Sequence, residues 1–323
     1  MSARIIGLGE TVMDILFKEI KDDNSATCEY VPFAAVPGGS TFNSMVSVGR
    51  SGVPCKFIGY TGNNKVGHQI VDFMHRNGIS TEYFQVRDNE RAALSLAYLD
   101  INGDADYTFY KEEPLAATDY GMPEFTAKDY FLFGSYYSIC PGLRPQVKDI
   151  LHSAYEAGTM VYYDINFRRS HSHQKQELLP VIQENCRLSS IVRGSADDFD
   201  ILFGTRDPEE IYRKYISPFC PIFICTAGAG RIFICTPKGT YEFNVPQIPI
   251  EEIVSTVGAG DSFNAGFLCA MYDYSVCKED LPDMDHSQWE RLVENGISYS
   301  SQVCRSQDNY IKGVADKQNL AKI

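Results

Sequence analysis

Apolar and polar positions along the chain follow two rhythms. Short apolar runs of β-rich composition end in Gly, Asp or Asn at Ile5 to Leu8, Lys56 to Tyr60, Tyr130 to Phe133, Met160 to Tyr163, Ile191 to Val192 and Ile222 to Cys225. Between them, Asn43 to Ser51, His68 to Asn77, Pro145 to Ala157 and Gln174 to Asn185 carry apolar residues at helical spacing. Alternation of this kind predicts an α/β fold, with a mostly parallel sheet covered by helices on both faces. Ligands of such sheets bind at the carboxyl ends of the strands.

Two segments break the rhythm. Residues 15 to about 36 and 92 to about 110 alternate polar and apolar side chains, as in Leu94-Ser95-Leu96-Ala97-Tyr98-Leu99. The second segment reaches Asn102-Gly103, a strong turn signal, and resumes as Tyr107-Thr108-Phe109-Tyr110, which reads as a hairpin with one solvated face. Two antiparallel pieces inserted in a parallel fold predict a small sheet beside the main unit, either a lid over a site or an extension of the main sheet. No internal repeat occurs, and the stretch from Gly313 to Ile323 carries no clear pattern.

Composition narrows the function. With 29 Lys+Arg against 42 Asp+Glu, the formal net charge of -13 repels phosphate backbones and anionic membranes, so no nucleic-acid or membrane partner is expected. The N-terminus lacks the longer apolar core of a signal peptide, and no run of about 18 apolar residues occurs, so a cytoplasmic location is expected. None of the ten cysteines forms a Cys-x-x-Cys pair; they read as small buried hydrophobes.

The sharpest chemical feature is Ser255-Thr256-Val257-Gly258-Ala259-Gly260-Asp261-Ser262-Phe263-Asn264-Ala265-Gly266-Phe267. Two glycines and an alanine allow a tight turn with little bulk between the backbone amides and a ligand. A small-residue helix begins near Asp261, and the free N–H groups of its first turn make an anion site. In isolation, Asp261 reads first as a helix N-cap. Likewise Pro37-Gly38-Gly39-Ser40-Thr41-Phe42-Asn43, alone, is a turn leading into a helix.

Together these segments resemble the two signatures of the PfkB (ribokinase-like) carbohydrate kinases. That resemblance implies a ribokinase-like three-layer α/β/α fold, with residues 1–323 as a single kinase domain carrying the lid segments. It also implies transfer of the γ-phosphoryl group of ATP to a sugar hydroxyl. By it, the Gly258, Ala259, Gly260 and Asp261 amides form the anion hole, and Asp261 accepts the proton of the attacking hydroxyl. Gly38, Gly39, Asn43 and Asp14 would line the sugar pocket. Asp164 and Arg168, in Tyr163-Asp164-Ile165-Asn166-Phe167-Arg168, resemble the fructokinase and 2-keto-3-deoxygluconate kinase branch. Period-2 alternation at this predicted strand end puts Asp164, Asn166 and Arg168 on one side; a strand-end salt bridge is the plainer reading.

The nucleotide side is less regular. Asp197 and Asp198 stand where the family carries Asn and Glu, and Asp198 would hold Mg2+ through water. Thr226 and Gly228 match the family's Thr-x-Gly turn, and Asn295 matches a position near the adenine. Ser255 replaces an aspartate that some relatives use for potassium, so the resemblance does not carry over a monovalent-cation site. The implied cofactors are ATP and Mg2+, and the implied partner is a small sugar. Fructose comes first, then 2-keto-3-deoxygluconate, then a ribose-like sugar or nucleoside. A non-catalytic sugar sensor is the alternative of a different class, disfavoured by an intact Asp261. The exposed face of the lid offers a homodimer surface. No Gly-x-x-x-x-Gly-Lys-Ser/Thr string or strand-linked Gly-x-Gly-x-x-Gly is present, against a P-loop enzyme or a dinucleotide dehydrogenase.

Overall fold

All six apolar runs form strands, because an extended segment buried on both faces needs apolar side chains at every position. The structure, a computed structural model, describes residues 2–17, 33–99, 105–111 and 121–313. The Asn102-Gly103 turn, most of the C-terminal tail and Cys28 lie outside these. In chain order the strands are β1 (Ile5–Leu8), β2 (Val12–Phe17), β3 (Phe33–Gly38), β4 (Cys55–Gly62), β5 (Ile79–Ser80), β6 (Phe84–Arg87), β7 (Ala93–Leu99), β8 (Ala105–Tyr110), β9 (Tyr130–Gly134), β10 (Met160–Asp164), β11 (Ile191–Ser195), β12 (Ile222–Ala227), β13 (Arg231–Thr236) and β14 (Gly239–Asn244). The helices are α1 (Ser40–Arg50), α2 (Lys65–Arg76), α3 (Arg144–Glu156), α4 (Lys175–Arg187), α5 (Ala196–Phe203), α6 (Pro208–Ile211), α7 (Ala259–Asp273) and α8 (His286–Cys304).

The main sheet has the order β14-β13-β12-β11-β10-β9-β1-β4-β5, with β6 beside the end of β4. From β12 to β5 every pairing is parallel, and only β13 and β14 run antiparallel at one edge. Alternate residues face opposite helical layers. Ile5, Tyr130, Tyr162 and Ile191 pack with Phe42, Met45, Phe267 and Trp289 of α1, α7 and α8. Ile6, Phe131, Val161 and Val192 pack with Leu151, Ile182 and Phe199 of α3, α4 and α5. This is the expected three-layer arrangement. Seven of the nine described cysteines are buried in it. Among the described residues, no helix is long and apolar enough to cross a membrane.

The second sheet has the order β3-β2-β7-β8. Its two hairpins are antiparallel, β2 with β3 and β7 with β8, but the seam between β2 and β7 is parallel. Both strands leave the main body in the same sense, so two hairpins laid side by side must join head to head. In this register Asp14 lies opposite Ser95, which directs both side chains to one face.

Candidate active site

Two helix N-termini meet at the carboxyl ends of the main strands. Gly258, the N-cap of α7, has φ 79°. A Cβ there would also stand 2.5 Å from the Asn309 carbonyl oxygen, so glycine is required twice over. The Ala259 amide is spent on the Thr256 carbonyl at 3.2 Å, and the Ser262 amide donates to the Gly258 carbonyl at 2.8 Å. Among the described residues, the Gly260 and Asp261 amides donate to no backbone carbonyl, which leaves them for an anion. The expected four-amide cradle is therefore narrower, because Ala259 is already engaged.

Asp261 is buried, with its carboxylate turned towards α1. Ser40 Oγ donates to Asp261 Oδ1 at 2.7 Å and Asn43 Nδ2 donates to Oδ2 at 2.9 Å. Ser44 Oγ donates to the Asp261 carbonyl at 2.8 Å, and Asn166 Nδ2 donates to Ser40 Oγ at 2.7 Å. Its side chain is not an N-cap; Asp261 sits inside α7 with its carboxylate presented to another helix. Burial raises its pKa to about 6, against the pull of the Asn43 and Ser40 hydrogen bonds, with Asp164 adding to the rise. A carboxylate with that pKa is ionised at neutral pH yet basic enough to take a proton.

Asp14, on β2, is also buried and accepts a hydrogen bond from Ser95 Oγ. Burial raises its pKa to about 6 despite Ser95, and the charges of Asp261 and Glu10 push the same way. A Cβ on Gly38 would overlap the Asp14 carboxylate, so that glycine makes room for the acid. Asp14, Gly38, Asn43 and Asp261 are thus drawn together, as the sequence suggested.

The Asp164 to Arg168 segment departs from expectation. Strand β10 ends at Asp164, and Asn166 takes φ 39°, so period-2 alternation does not continue. Asp164 Oδ1 accepts from Arg193 at 3.0 Å and Oδ2 from Asn264 Nδ2 at 2.7 Å. Asn166 turns instead to Ser40. Arg168 is exposed, though its charge still lowers the Asp261 pKa.

Among the residues read for the nucleotide, Thr226 Oγ1 accepts from Arg193 at 2.8 Å, and Gly228 turns the chain between β12 and β13 with φ 59°. Asp198 is buried as the third helical residue of α5, where it closes a capping box with Ser195. Burial raises its pKa to about 6, with Asp164 contributing. Asp197, by contrast, faces solvent and pairs with Arg206 at 2.6 Å, so the structure does not bring it into this network. Its position next to Asp198 in the first turn of α5 is the reason: adjacent helical residues point about 100° apart. Asn295 Nδ2 donates to the Gly266 carbonyl at 2.6 Å, which commits that side chain to the α7–α8 contact.

Among the described residues no three His, Cys, Asp or Glu side chains converge as a metal cage. A lone buried carboxylate suits Mg2+, which retains waters and takes phosphate oxygens rather than needing a protein cage.

Arg193 carried no sequence-level assignment, although a cation within the apolar string Ile191-Val192-Arg193-Gly194 signals a buried pair. A small cavity of about 80 Å³ lies beyond Glu10 and Thr11, lined also by Arg91, Lys111, Tyr60 and Tyr136. Lys111 Nζ bridges to Glu10 at 2.9 Å, and the Tyr136 ring stacks on His171.

A ribokinase-like fold, with a buried carboxylate beside free amides, is the arrangement of a phosphotransferase acting on an alcohol group. The pfkB carbohydrate kinase family model matches residues 2–308, and the chain belongs to that family. Aminoimidazole riboside kinase of Salmonella typhimurium is 30% identical over 259 residues, covering 76% of this chain and 78% of that protein. Probable fructokinase-5 of Arabidopsis thaliana is 24% identical over 330 residues, covering 98% and 97%. The crystal structure of aminoimidazole riboside kinase from Salmonella enterica, complexed with aminoimidazole riboside and an ATP analogue, superposes with TM-score 0.80 at 22% identity, covering 98% of this chain and 99% of that one. Fructokinase from Vibrio cholerae, bound to fructose, ADP and calcium, superposes with TM-score 0.79 at 20% identity, covering 97% and 96%.

Proposed function

We propose that the protein transfers the γ-phosphoryl group of ATP to a sugar hydroxyl, with fructose as the first acceptor to test and Asp261 as the base. The observation that carries this is the Asp261 carboxylate, oriented by Ser40 and Asn43, one residue from the free Gly260 amide. Asp14, Gly38, Gly39 and Asn43 would receive the acceptor. Thr226 and Gly228 would flank the nucleotide, and Asp198 would hold Mg2+ through water, supplying charge neutralisation for the phosphates. Direct in-line transfer fits a site that offers positioning and charge rather than a second nucleophile.

The whole chain acts as one kinase unit in this reading. The small sheet, segments 15–36 and 92–110, serves as a lid whose closure excludes water from ATP. The Lys111–Glu10 bridge supports that role, since it links the end of β8 to the loop after β1.

Fructose is favoured by the Asp164-x-Asn166-x-Arg168 string and the fructokinase relatives. A riboside is the second reading, supported by the 30% identical relative and by the aromatic character that Tyr60, Tyr136 and Tyr137 give the cavity wall. The test is ADP release with ATP, Mg2+ and fructose, 2-keto-3-deoxygluconate, ribose or an imidazole riboside. Turnover with one acceptor, lost in Asp261→Asn, is the expected result. No ADP with any acceptor would overturn the reading and favour a sensor.

A further inference from the structure

A buried guanidinium stands where helix electrostatics disfavours it. The N-terminus of a helix is the positive end of its dipole, where anions are stabilised and cations are not. Arg193 nonetheless lies against the first turn of α7, a helix of 15 residues. Its two terminal nitrogens are 3.1 and 3.4 Å from the point a Gly260 Cβ would occupy. Those nitrogens hold Asp164 at 3.0 Å and Thr226 Oγ1 at 2.8 Å, while Nε has no partner. Asp164 gives its other oxygen to Asn264, on the same α7.

A buried ion pair contributes little net stability, and an apolar pair of similar volume often does as well. Stability alone therefore does not account for a cation pressed on a helix N-terminus. An anion arriving at the Gly260 and Asp261 amides does. We propose that Arg193 is a positioning residue for phosphoryl transfer. Its guanidinium braces the first turn at Gly260 and its fork fixes Thr226 at the nucleotide turn, so a migrating phosphoryl group meets amides already held in place. The inference rests on the kinase reading above. In that reaction the bond from the γ-phosphorus to the β–γ bridging oxygen breaks and ADP leaves. The acceptor oxygen bonds to phosphorus, and its proton passes to Asp261. Arg193 touches none of these atoms; it acts through the amides and Thr226.

The test compares Arg193→Met and Arg193→Lys with wild type. It reads kcat and both KM values, thermal stability, and calorimetric affinity for ADP alone and for ADP with aluminium fluoride plus acceptor. Arg193→Met is expected to lose about 10²-fold in kcat, the scale of a lost oxyanion donor, with little change in the acceptor KM. Its affinity should fall for the aluminium fluoride complex far more than for ADP, and Arg193→Lys should recover much of both. Since Arg193→Met strands a buried Asp164, Asp164→Asn with Arg193→Met controls for folding. That pair should melt near wild type, yet turn over at least tenfold more slowly than Asp164→Asn alone. Equal losses for ADP and the aluminium fluoride complex, or activity regained in the double variant, would reduce Arg193 to a structural counter-ion. Wild type that turns over no acceptor would instead sink the kinase reading, and this inference with it. Wild type that turns over while Arg193→Met matches it would sink the inference alone.

Discussion

Replacing Asp261 by asparagine keeps the side-chain shape and removes one buried charge. Its consequences for stability and for catalysis should differ widely in size. In the folded protein the carboxyl pKa is about 6, raised by burial from 3.8. A rise of roughly 2 units corresponds to ~3 kcal/mol. Because the folded pKa is the higher one, the folded state holds the proton more tightly between pH 3.8 and about 6. Stability therefore declines as pH rises through that window and stays lower above it. Asparagine removes that penalty at pH 7.5. It weakens the hydrogen bonds from Ser40 and Asn43 by about 1–2 kcal/mol each, the difference between a charged and a neutral acceptor. The two effects nearly cancel, so the melting temperature should move by no more than about 4 °C. Catalysis has no such offset, and loss of the base should lower kcat by about 10²–10⁴. The assay is coupled ADP release at saturating ATP and acceptor, alongside thermal melts from pH 4 to 8. A variant that keeps its melting temperature and more than about a tenth of wild-type kcat would refute Asp261 as the base. One that loses stability steeply would show that the carboxylate is structural.

Three further outcomes are expected. Wild-type kcat should rise with pH through about 6, as Asp261 loses its proton, and a rate flat from pH 5 to 8 would contradict that assignment. Gly38→Ala puts a methyl group into the Asp14 carboxylate; it should raise the acceptor KM by about tenfold or more and leave the ATP KM nearly unchanged. An unchanged acceptor KM would remove Asp14 from the acceptor site. Asn295→Ala loses the bond to the Gly266 carbonyl and should cost about 1 kcal/mol in denaturant melts with no change in the ATP KM. A large rise in that KM would return Asn295 to the adenine.

The central strands were legible because burial on both faces imposes uninterrupted apolar runs, as at Ile222 to Cys225. The paired glycines and Asp261 were legible because close backbone approach leaves few residue choices. Three features were not. Asn166 leaves the extended region at φ 39°, and no local pattern announces the end of the alternation that Asp164 begins. The parallel seam between β2 and β7 joins segments some eighty residues apart in register, as Asp14 with Ser95, and such pairing leaves no local trace. Asp197 and Asp198 are neighbours of the same type, and only the capping box at Ser195 decides which one turns inward. Arg193 was readable in principle, since an arginine amid Ile191, Val192 and Gly194 demands a partner; the partner itself, Asp164, lies on the adjacent strand.

The β2–β7 seam has a mechanical consequence. Each hairpin alone would be a loose flap, free to swing about its own root. Stitched in parallel, they form one plate rooted at separate places in the chain, near Thr11 and Gly38 and near Ala92 and Lys111. The Ser95–Asp14 bond is a stitch in that plate, and Asp14 is one of the groups proposed to receive the acceptor. Any tilt of the plate therefore carries Asp14 with it, and anything gripping Asp14 tugs on both roots. If the proposed reading holds, arrival of the acceptor and closure of the lid would be geared to each other through a single carboxylate.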